Sequence, residues 1–533
     1  MEQKSAYLDL GDVLVLGLGM SGKATVEYLA PLIGSRVRSL TVLCGDANED
    51  SVSWANAFHA DYKSESMPSS RLQFVFDDDE ACSFVPVGAD LFDLCIVSPG
   101  IPVFSEMYEN GKKASRRIIS EVELAWQESP RNSVWIAITG TNGKTTTTSL
   151  IHHIFSVAGL NAKAVGNIGA ACISQVKSDL DAIGRGVETA NPVYVAEMSS
   201  FQLASSEGFI PDIAVMLGIK PDHVEWHGSF AHYAASKMRL IDNMIRAGRG
   251  VVIADMTDEV TSKEILKRVS DIRKNAGIVL VGIEYGCFAQ SHDGGFTDAT
   301  KPSDRAFLDD TGRLNVVFHG VRHVLVDSSE LSIKGNHNAV NSLAASSAAI
   351  ALDVPDVKVD EGLLSFRPLE HRIEPCGRIG SIAFFNDSKA TNVDSAVCAI
   401  RSFPGTDLIV LLGGHDKMTP LQDLACACRD SAGAVICYGE AKDRFLEELR
   451  ILSEDGIDVI SADHMSDAFD AAIGRAQESK SDEAVILLSP ACSSFDEFKS
   501  FEERGRAFKE MVKSLSDAMD EDRSFIDTAD RSI

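Results

Sequence analysis

Short apolar runs rich in β-branched residues alternate with helical patterns along nearly the whole chain, and no other feature restricts the fold as much. Such alternation implies largely parallel sheets covered by helices, because parallel neighbours need a long crossover that a helix supplies. Asp12–Leu18 reads as a first strand, Ser21–Leu29 as a helix, and Ser39–Leu43 and Asp93–Ser98 as further strands. The polar, Pro-containing stretch Gln127–Ser133 reads as a linker. A second cycle opens with the strand Val134–Thr139 and the helix Thr145–Ala158, then runs through Val193–Met198, Ile213–Ile219, Gly250–Ala254 and Ile278–Gly282. Between Glu284 and Asp327 the chain turns polar and Gly-rich, which suits a β-meander, and His337–Leu352 is an Ala-rich helix. After Ser365–Pro368 a third cycle has strands at Ile382–Asn386, Leu408–Leu412, Ala434–Cys437 and Ala484–Leu488. Phe495, Phe498, Phe501, Phe508, Val512 and Leu515 lay an apolar stripe on a closing helix, and the acidic composition beyond Ser516 suggests a disordered tail.

Length and charge narrow the class. At roughly 150 residues per domain, 533 residues make about three or four domains, and 45% hydrophobic with 24% charged residues is a globular composition. A formal charge of −28 argues against nucleic acid or an anionic membrane as partner. No run approaches the length of a membrane span, and MEQKSAYLDLGD lacks the pattern of a signal peptide. The 11 Cys form no CxxC pair, and Cys426 and Cys428 are too close for a zinc knuckle, so reduced core thiols are expected in a soluble cytoplasmic protein.

The strongest local motif is Gly140-Thr141-Asn142-Gly143-Lys144-Thr145, followed by Thr146, directly after a strand and directly before a helix. Backbone N–H groups in such a loop face phosphate oxygens, Lys144 neutralises β- and γ-phosphate charge, and the Thr145 hydroxyl ligates Mg²⁺. Ile138 stands where the usual pattern has another Gly, so the loop is a shortened variant. Gly17-Leu18-Gly19-Met20-Ser21-Gly22 fits a dinucleotide fingerprint, with Asp46 an imperfect partner acid; a tight structural turn is the alternative. Ser98-Pro99-Gly100-Ile101 ends another strand of the same domain, where α/β ligands dock.

Glu197 closes the strand Val193–Met198, and Asp222-His223 follows Ile213–Ile219, so a carboxylate and an imidazole share the phosphate loop's edge. That arrangement suits a Mg²⁺ site which keeps substrate oxygens in its shell. In the third cycle the loops Asn386–Asn392, Gly413–Lys417 and Ser489–Asp496 all follow strands and converge on one crevice, where two lysines and several hydroxyls suit a small dianion.

Together these motifs resemble the Mur ligases of peptidoglycan synthesis from Gly17 to Phe508. GTNGKTT is shared with folylpolyglutamate synthetases, whereas NDSKATN (Asn386–Asn392) and LSPACSSFDEFKSFEERG (Leu488–Gly505) point to the branch that adds D-glutamate. GNIG (Gly166–Gly169), EMSSFQL (Glu197–Leu203), PDH (Pro221–His223), GNHNAVN (Gly335–Asn341) and EHRIE (Glu370–Glu374) complete the order. The resemblance implies an α/β chain of three domains: a Rossmann-like UDP-substrate domain over 1–127, a central P-loop ATPase domain with a parallel sheet over 128–366, and a Rossmann-like amino-acid domain over 367–533 with the acidic tail from about 516. It implies ATP, two Mg²⁺ ions, UDP-N-acetylmuramoyl-L-alanine and D-glutamate as ligands, and a monomer is expected.

By the same resemblance Met20, Ser21, Ser98 and Gly100 contact the UDP-sugar, and Asn167, Ser199 and Gln202 its muramoyl-alanine end. Thr145 and Glu197 hold one Mg²⁺, and His223 helps hold a second, bridged by Lys237 as its carbamate. Residue type alone makes Lys237 an ordinary helix-surface lysine. Asn338 and Asn341 match adenine contacts, Asp387 the ribose contact and Arg372 a phosphate contact. Lys389, Thr391, Lys417, Ser494 and Phe501 match the D-glutamate site. Gly218 stands where the family usually has Asn, and the segments Ser64–Val87, Gln175–Ala190 and Glu284–Val324 are longer than usual. The implied chemistry is activation of a carboxylate as its acyl phosphate, with Lys144, Arg372 and both ions stabilising the moving charge and His223 orienting or deprotonating the amine. A folylpolyglutamate-type ligase, an NAD-dependent oxidoreductase built on Gly17–Gly22 and a non-catalytic nucleotide-binding regulator are the rival readings.

Overall fold

The computed structural model describes residues 9–62, 71–76, 91–187, 190–284 and 304–529, apart from positions 46, 48, 480 and 482. Among them the first sheet comprises Gly11–Leu16 (β1), Val37–Leu43 (β2), Leu72–Val75 (β3), Leu94–Val97 (β4) and Ile118–Ser120 (β5), all parallel, in the order β3-β2-β1-β4-β5. The order reverses between β1 and β4, so the Gly17 loop and the Ser98 loop meet at the switch point where α/β sheets bind ligands.

The second sheet comprises Val134–Thr139 (β6), Ala162–Gly166 (β7), Val193–Glu197 (β8), Ile213–Met216 (β9), Val251–Asp255 (β10), Gly277–Glu284 (β11), Arg305–Leu308 (β12), Arg313–Phe318 (β13) and Val321–Asp327 (β14). Its order is β14-β13-β12-β11-β10-β9-β6-β8-β7, parallel up to β12 and antiparallel for the last two hairpins. The expected meander is therefore present as β12–β14, which extend a parallel sheet by an antiparallel edge.

The third sheet comprises Glu374–Ile379 (β15), Ile382–Asn386 (β16), Asp407–Gly413 (β17), Ala432–Tyr438 (β18), Asp458–Ser461 (β19) and Ala484–Ala491 (β20). The order is β15-β16-β20-β17-β18-β19, with only β15 antiparallel. The chain divides into two compact units, Met1–Leu331 with Ala339–Ser365, and Ser332–Asn338 with Phe366–Ile533. The first unit holds two of the three α/β layers and the second holds the other.

Two expectations need correction. Gln127–Ser133 is no loose linker: the helix Glu121–Glu128 runs into it, Ser129 is fully buried, and the Trp135 indole donates to its hydroxyl at 3.0 Å. Composition misleads here because Glu128, Ser129 and Ser133 are partnered inside the fold, while Arg131 and Asn132 are exposed. The closing helix Phe501–Ala529 continues past Ser516, where a disordered tail was expected. After Gly505 the segment contains neither Gly nor Pro, so nothing in the backbone chemistry stops the helix.

The helix Glu121–Glu128 fastens the two sheets of the first unit through three buried carboxylates. Glu121 accepts the Ile173 N–H at 2.7 Å, in the first turn of the helix Cys172–Gly184. Glu123 accepts the Gly208 N–H at 3.0 Å. Glu128 receives the Arg36 guanidinium at 2.6 and 2.8 Å and the Tyr28 hydroxyl at 2.5 Å. One contiguous apolar core, from Leu10 to Leu280, surrounds this helix.

Burial pushes the Glu121 carboxyl up to about 7 in spite of the Ile173 and Cys172 N–H groups, and Glu123 likewise to about 7. A folded-state value above the ordinary 4.5 means that the folded form holds its proton longer than the unfolded chain. The Glu121 contribution is therefore intact below about pH 4.5 and is lost as pH rises to about 7. Glu121→Gln should remove that slope. The melting temperature of the variant relative to the unmodified protein should rise between pH 5 and pH 8 in parallel scans, and a constant difference would contradict the assignment.

Candidate active site

The phosphate loop leaves β6, the strand flanked by β8 and β9, and enters the helix Lys144–Val157. Gly143 takes φ +79, a conformation that disfavours a side chain, and a Cβ there would lie 2.6 Å from the Asn341 amide oxygen. Asn341 is buried and accepts the Thr147 hydroxyl at 3.1 Å, so the helix Asn336–Ile350 brings one expected adenine contact against the loop. Asn338 lies one turn earlier on that helix and donates to the Lys334 carbonyl at 2.8 Å.

The loop is tied down from several sides. Thr141 Oγ1 accepts the Lys220 N–H at 2.9 Å and pairs with the Tyr233 hydroxyl at 2.8 Å. The Lys144 ammonium donates to the Thr141 carbonyl at 2.7 Å. Beneath it, Lys237 Nζ donates to the Gly140 carbonyl at 2.7 Å and sits 4.7 Å from the centre of the Tyr233 ring.

Lys237 is no surface lysine. It is 1% exposed on the buried face of the helix Phe230–Ala247, and burial, with Lys144 nearby, holds its ammonium well below the ordinary range against the pull of Asp222 and Glu197. Glu197, at the end of β8, is buried too. Its Oε1 accepts the Asn167 amide at 2.9 Å, while its Oε2 has no hydrogen-bond partner among the described residues. A free carboxylate oxygen of this kind suits a hard cation, and the Thr145 hydroxyl at the start of the helix Lys144–Val157 is also an oxygen donor of the type Mg²⁺ takes.

His223 takes a left-handed conformation at φ +50 and is half exposed, 3.5 Å from the Asp222 carboxylate and edge-on to Phe201. His227, which residue type alone did not single out, is buried with its Nε2 2.9 Å from the Ser200 hydroxyl, and burial together with the nearby Lys237 lowers it to about 4. The fourth position after His223 on a short helix was the available signal for it.

Ser199 and Gln202, expected at the substrate, cap the helix Ser200–Ala204 reciprocally: Gln202 N donates to Ser199 Oγ, and Ser199 N donates to Gln202 Oε1. Gly218 faces Asp258, which accepts the Ile219 N–H at 3.1 Å and caps the helix Glu259–Asn275, so an acid from a neighbouring element serves the turn where Asn was expected. In the first sheet Ser98 donates to the Gly17 carbonyl at 3.0 Å, and a Cβ on Gly22 would fall 2.0 Å from that carbonyl oxygen. Met20 and Gly100 lie exposed beside this turn, with Ser21 half-buried. Asp46 and most of Ser64–Val87 lie outside the described residues.

In the second unit Asp387 is buried, accepts the Ser489 hydroxyl at 2.7 Å and the Ile373 N–H at 3.2 Å, and is pushed up to about 7 by burial. The Ile373 bond fixes the turn that carries Arg372. Lys389 Nζ lies 3.6 Å from the centre of the Phe501 ring, close enough for the ring to favour the cation. Thr391 donates its N–H to the Lys389 carbonyl, and Ser494 is buried at the start of the turn that leads to Phe498.

Arg504 was not anticipated. Fully buried, it donates to the Ser388 hydroxyl and to the Ser388, Cys492 and Ser493 carbonyls at 2.8–3.3 Å, and so binds two of the three strand-end loops together. Among the described residues, the one group of three acidic or imidazole side chains close enough to share a metal is Glu370, His371 and Glu374, where the Lys509 ammonium already binds both carboxylates.

Residues 138–349 match the model of the Mur ligase middle domain, and residues 371–492 that of the Mur ligase, glutamate ligase domain. The chain is 32% identical to the UDP-N-acetylmuramoylalanine--D-glutamate ligase of Koribacter versatilis, over 95% of this chain and 98% of that protein. The protein of the same name from Acidobacterium capsulatum is 33% identical, over 94% of this chain and 95% of its own length. A solved pseudomurein peptide ligase type C from Methanothermus fervidus shares the fold, with a TM-score of 0.52 at 15% identity over 95% of this chain and 99% of its own. Phosphate loop, buried lysine, strand-end carboxylate and glutamate-domain loops thus occur within full-length similarity, and the chain belongs to the Mur ligase family, in the branch of the D-glutamate ligases.

Proposed function

We propose that this chain joins D-glutamate to the alanyl carboxylate of UDP-N-acetylmuramoyl-L-alanine at the expense of ATP, in cytoplasmic synthesis of the peptidoglycan precursor. The observation that carries the reading is Lys237, buried against the phosphate loop and near a carboxylate, Glu197, one oxygen of which has no hydrogen-bond partner among the described residues. In this reading 1–127 takes the UDP-sugar, 128–366 the ATP and 367–533 the amino acid.

A carboxylate is a poor electrophile, so the substrate oxygen first attacks the γ-phosphorus, giving the acyl phosphate and ADP. Lys144 and the loop N–H groups stabilise the oxygens of the transferring group, and the family resemblance assigns Arg372 to phosphate as well. Thr145 and Glu197 would hold one Mg²⁺ and His223 would help hold a second, and the ions would supply Lewis-acid charge neutralisation. By the family resemblance Asn338 and Asn341 are assigned to adenine and Asp387 to ribose. Met20, Ser21, Ser98 and Gly100 hold the UDP-sugar, with Asn167, Ser199 and Gln202 at its muramoyl-alanine end. Lys389, Thr391, Lys417, Ser494 and Phe501 bind D-glutamate, whose neutral amine displaces phosphate from the acyl carbon.

Lys237 acts as its carbamate. The neutral amine, favoured by burial, adds CO₂ with loss of one proton, which turns a cation into an anion suited to a metal. The carbamate nitrogen keeps one N–H, so the bond to the Gly140 carbonyl survives the modification.

Phosphate release with ATP and UDP-N-acetylmuramoyl-L-alanine should depend on D-glutamate, with L-glutamate at background; equal rates would overturn the amino-acid assignment. Lys144→Ala should abolish ADP formation with both substrates present, and full activity would remove the phosphate loop from the mechanism. Lys237→Ala should lose at least 100-fold in rate and regain part of it with millimolar short-chain carboxylic acid, which can stand where the carbamate stood; an active Lys237→Ala protein would refute the role.

A further inference from the structure

The loop Gly413–Lys417 carries Lys417, a proposed D-glutamate contact; His415 ties its first half down, donating its N–H to the Ser493 carbonyl at 2.8 Å and pairing its ring with Glu440 at 2.7 Å, but from Asp416 onward the loop has no regular structure. After β17 the loop passes through Met418, which takes φ +53 and is 73% exposed. One side chain from elsewhere in the unit grips that stretch. Arg444, in the helix Lys442–Leu449, donates Nε to Asp416 Oδ2 at 2.6 Å and Nη2 to Asp416 Oδ1 at 2.8 Å, a two-pronged pair. Its Nη1 donates to the Thr419 carbonyl at 3.2 Å. The pair is mostly removed from water, with 11% of the Asp416 side chain and 21% of that of Arg444 exposed. Asp416 Oδ1 also accepts the Met418 N–H at 2.8 Å, which closes the turn around Lys417.

We infer that Arg444 is a positioning residue for amino-acid binding, acting through Asp416 on Lys417; this rests on the ligase reading above. Two physical effects support it. The planar fork fixes Asp416 in orientation as well as distance, which a single point charge does not. The fork also neutralises the carboxylate beside Lys417. Among the described residues no hydrogen bond or ion pair engages the Lys417 ammonium. Without Arg444, an uncompensated carboxylate one residue away would compete for that ammonium and repel an arriving dicarboxylate. Arg444 itself touches no reacting atom.

The test is steady-state kinetics on the full chain, with each substrate varied in turn for the unmodified protein, Arg444→Ala and Arg444→Lys. Arg444→Ala should raise the KM for D-glutamate about tenfold or more, leaving the KM for ATP and for the UDP-sugar within about twofold. Arg444→Lys, which still neutralises Asp416 but lacks the fork, should recover part of that loss. An unchanged KM for D-glutamate in Arg444→Ala overturns the inference, as does an equal rise in all three KM values or an Arg444→Lys protein no better than Arg444→Ala. If the unmodified protein itself releases no glutamate-dependent phosphate, the ligase reading fails instead.

Discussion

The bond from the buried Lys237 amine to the Gly140 carbonyl underlies the central site. A phosphate loop must present its N–H groups outward, which leaves its carbonyls facing the protein, where they need donors. Lys237 is one such donor, Lys144 meets the next carbonyl, at Thr141, and the Thr141 hydroxyl is in turn held by Tyr233 and Lys220. The burial that lets Lys237 serve this role also makes its charged form costly, and that cost gives the side chain its proposed second chemistry.

The second unit solves a related problem with different side chains. Its proposed ligand groups sit on irregular loops after β16, β17 and β20, and such loops need anchors if they are to hold a small molecule. Arg504 gathers the Ser388 and Cys492–Ser493 loops from inside, Asp387 ties the Arg372 turn to Ser489, and Arg444 grips the Asp416 turn. The anchors are buried or half-buried ions with several partners each. Removing a partner from such an ion leaves a desolvated charge, so the loops are held by the penalty for moving them as well as by the bonds themselves.

Much of this was legible in the chain. Central strands announce themselves, since β6, β8, β9, β10, β17 and β20 are unbroken apolar runs buried on both faces. The edge strands β3, β5, β7, β15 and β19 are not legible in the pattern: Ala162–Gly166 contains a Lys and two Ala, and Asp458–Ser461 begins and ends in polar residues. A strand with one neighbour is specified by that neighbour more than by its own residues. The stretch Gln127–Ser133 was misjudged for a similar reason, because Ser129 and Glu128 look like linker residues until Trp135, Arg36 and Tyr28 are seen to partner them.

The amino-acid sequence by itself determined the alternating architecture, the position of the phosphate loop between a strand and a helix, and the loops that carry ligand groups. These follow from local pattern, since hydrophobic period and turn chemistry act over a few residues. Only the tertiary structure decided that Lys237 is buried, that one Glu197 oxygen has no hydrogen-bond partner among the described residues, that Asp258 serves the turn at Gly218, and that Arg504 and Arg444 hold the loops. Each of these involves at least one partner far along the chain, such as Asp416 with Arg444, 28 positions apart, or Ser388 with Arg504, 116 apart, and they meet because of the order in which each sheet takes its strands. Burial and long-range pairing set the charge state of a side chain, and neither is written in the residues that flank it.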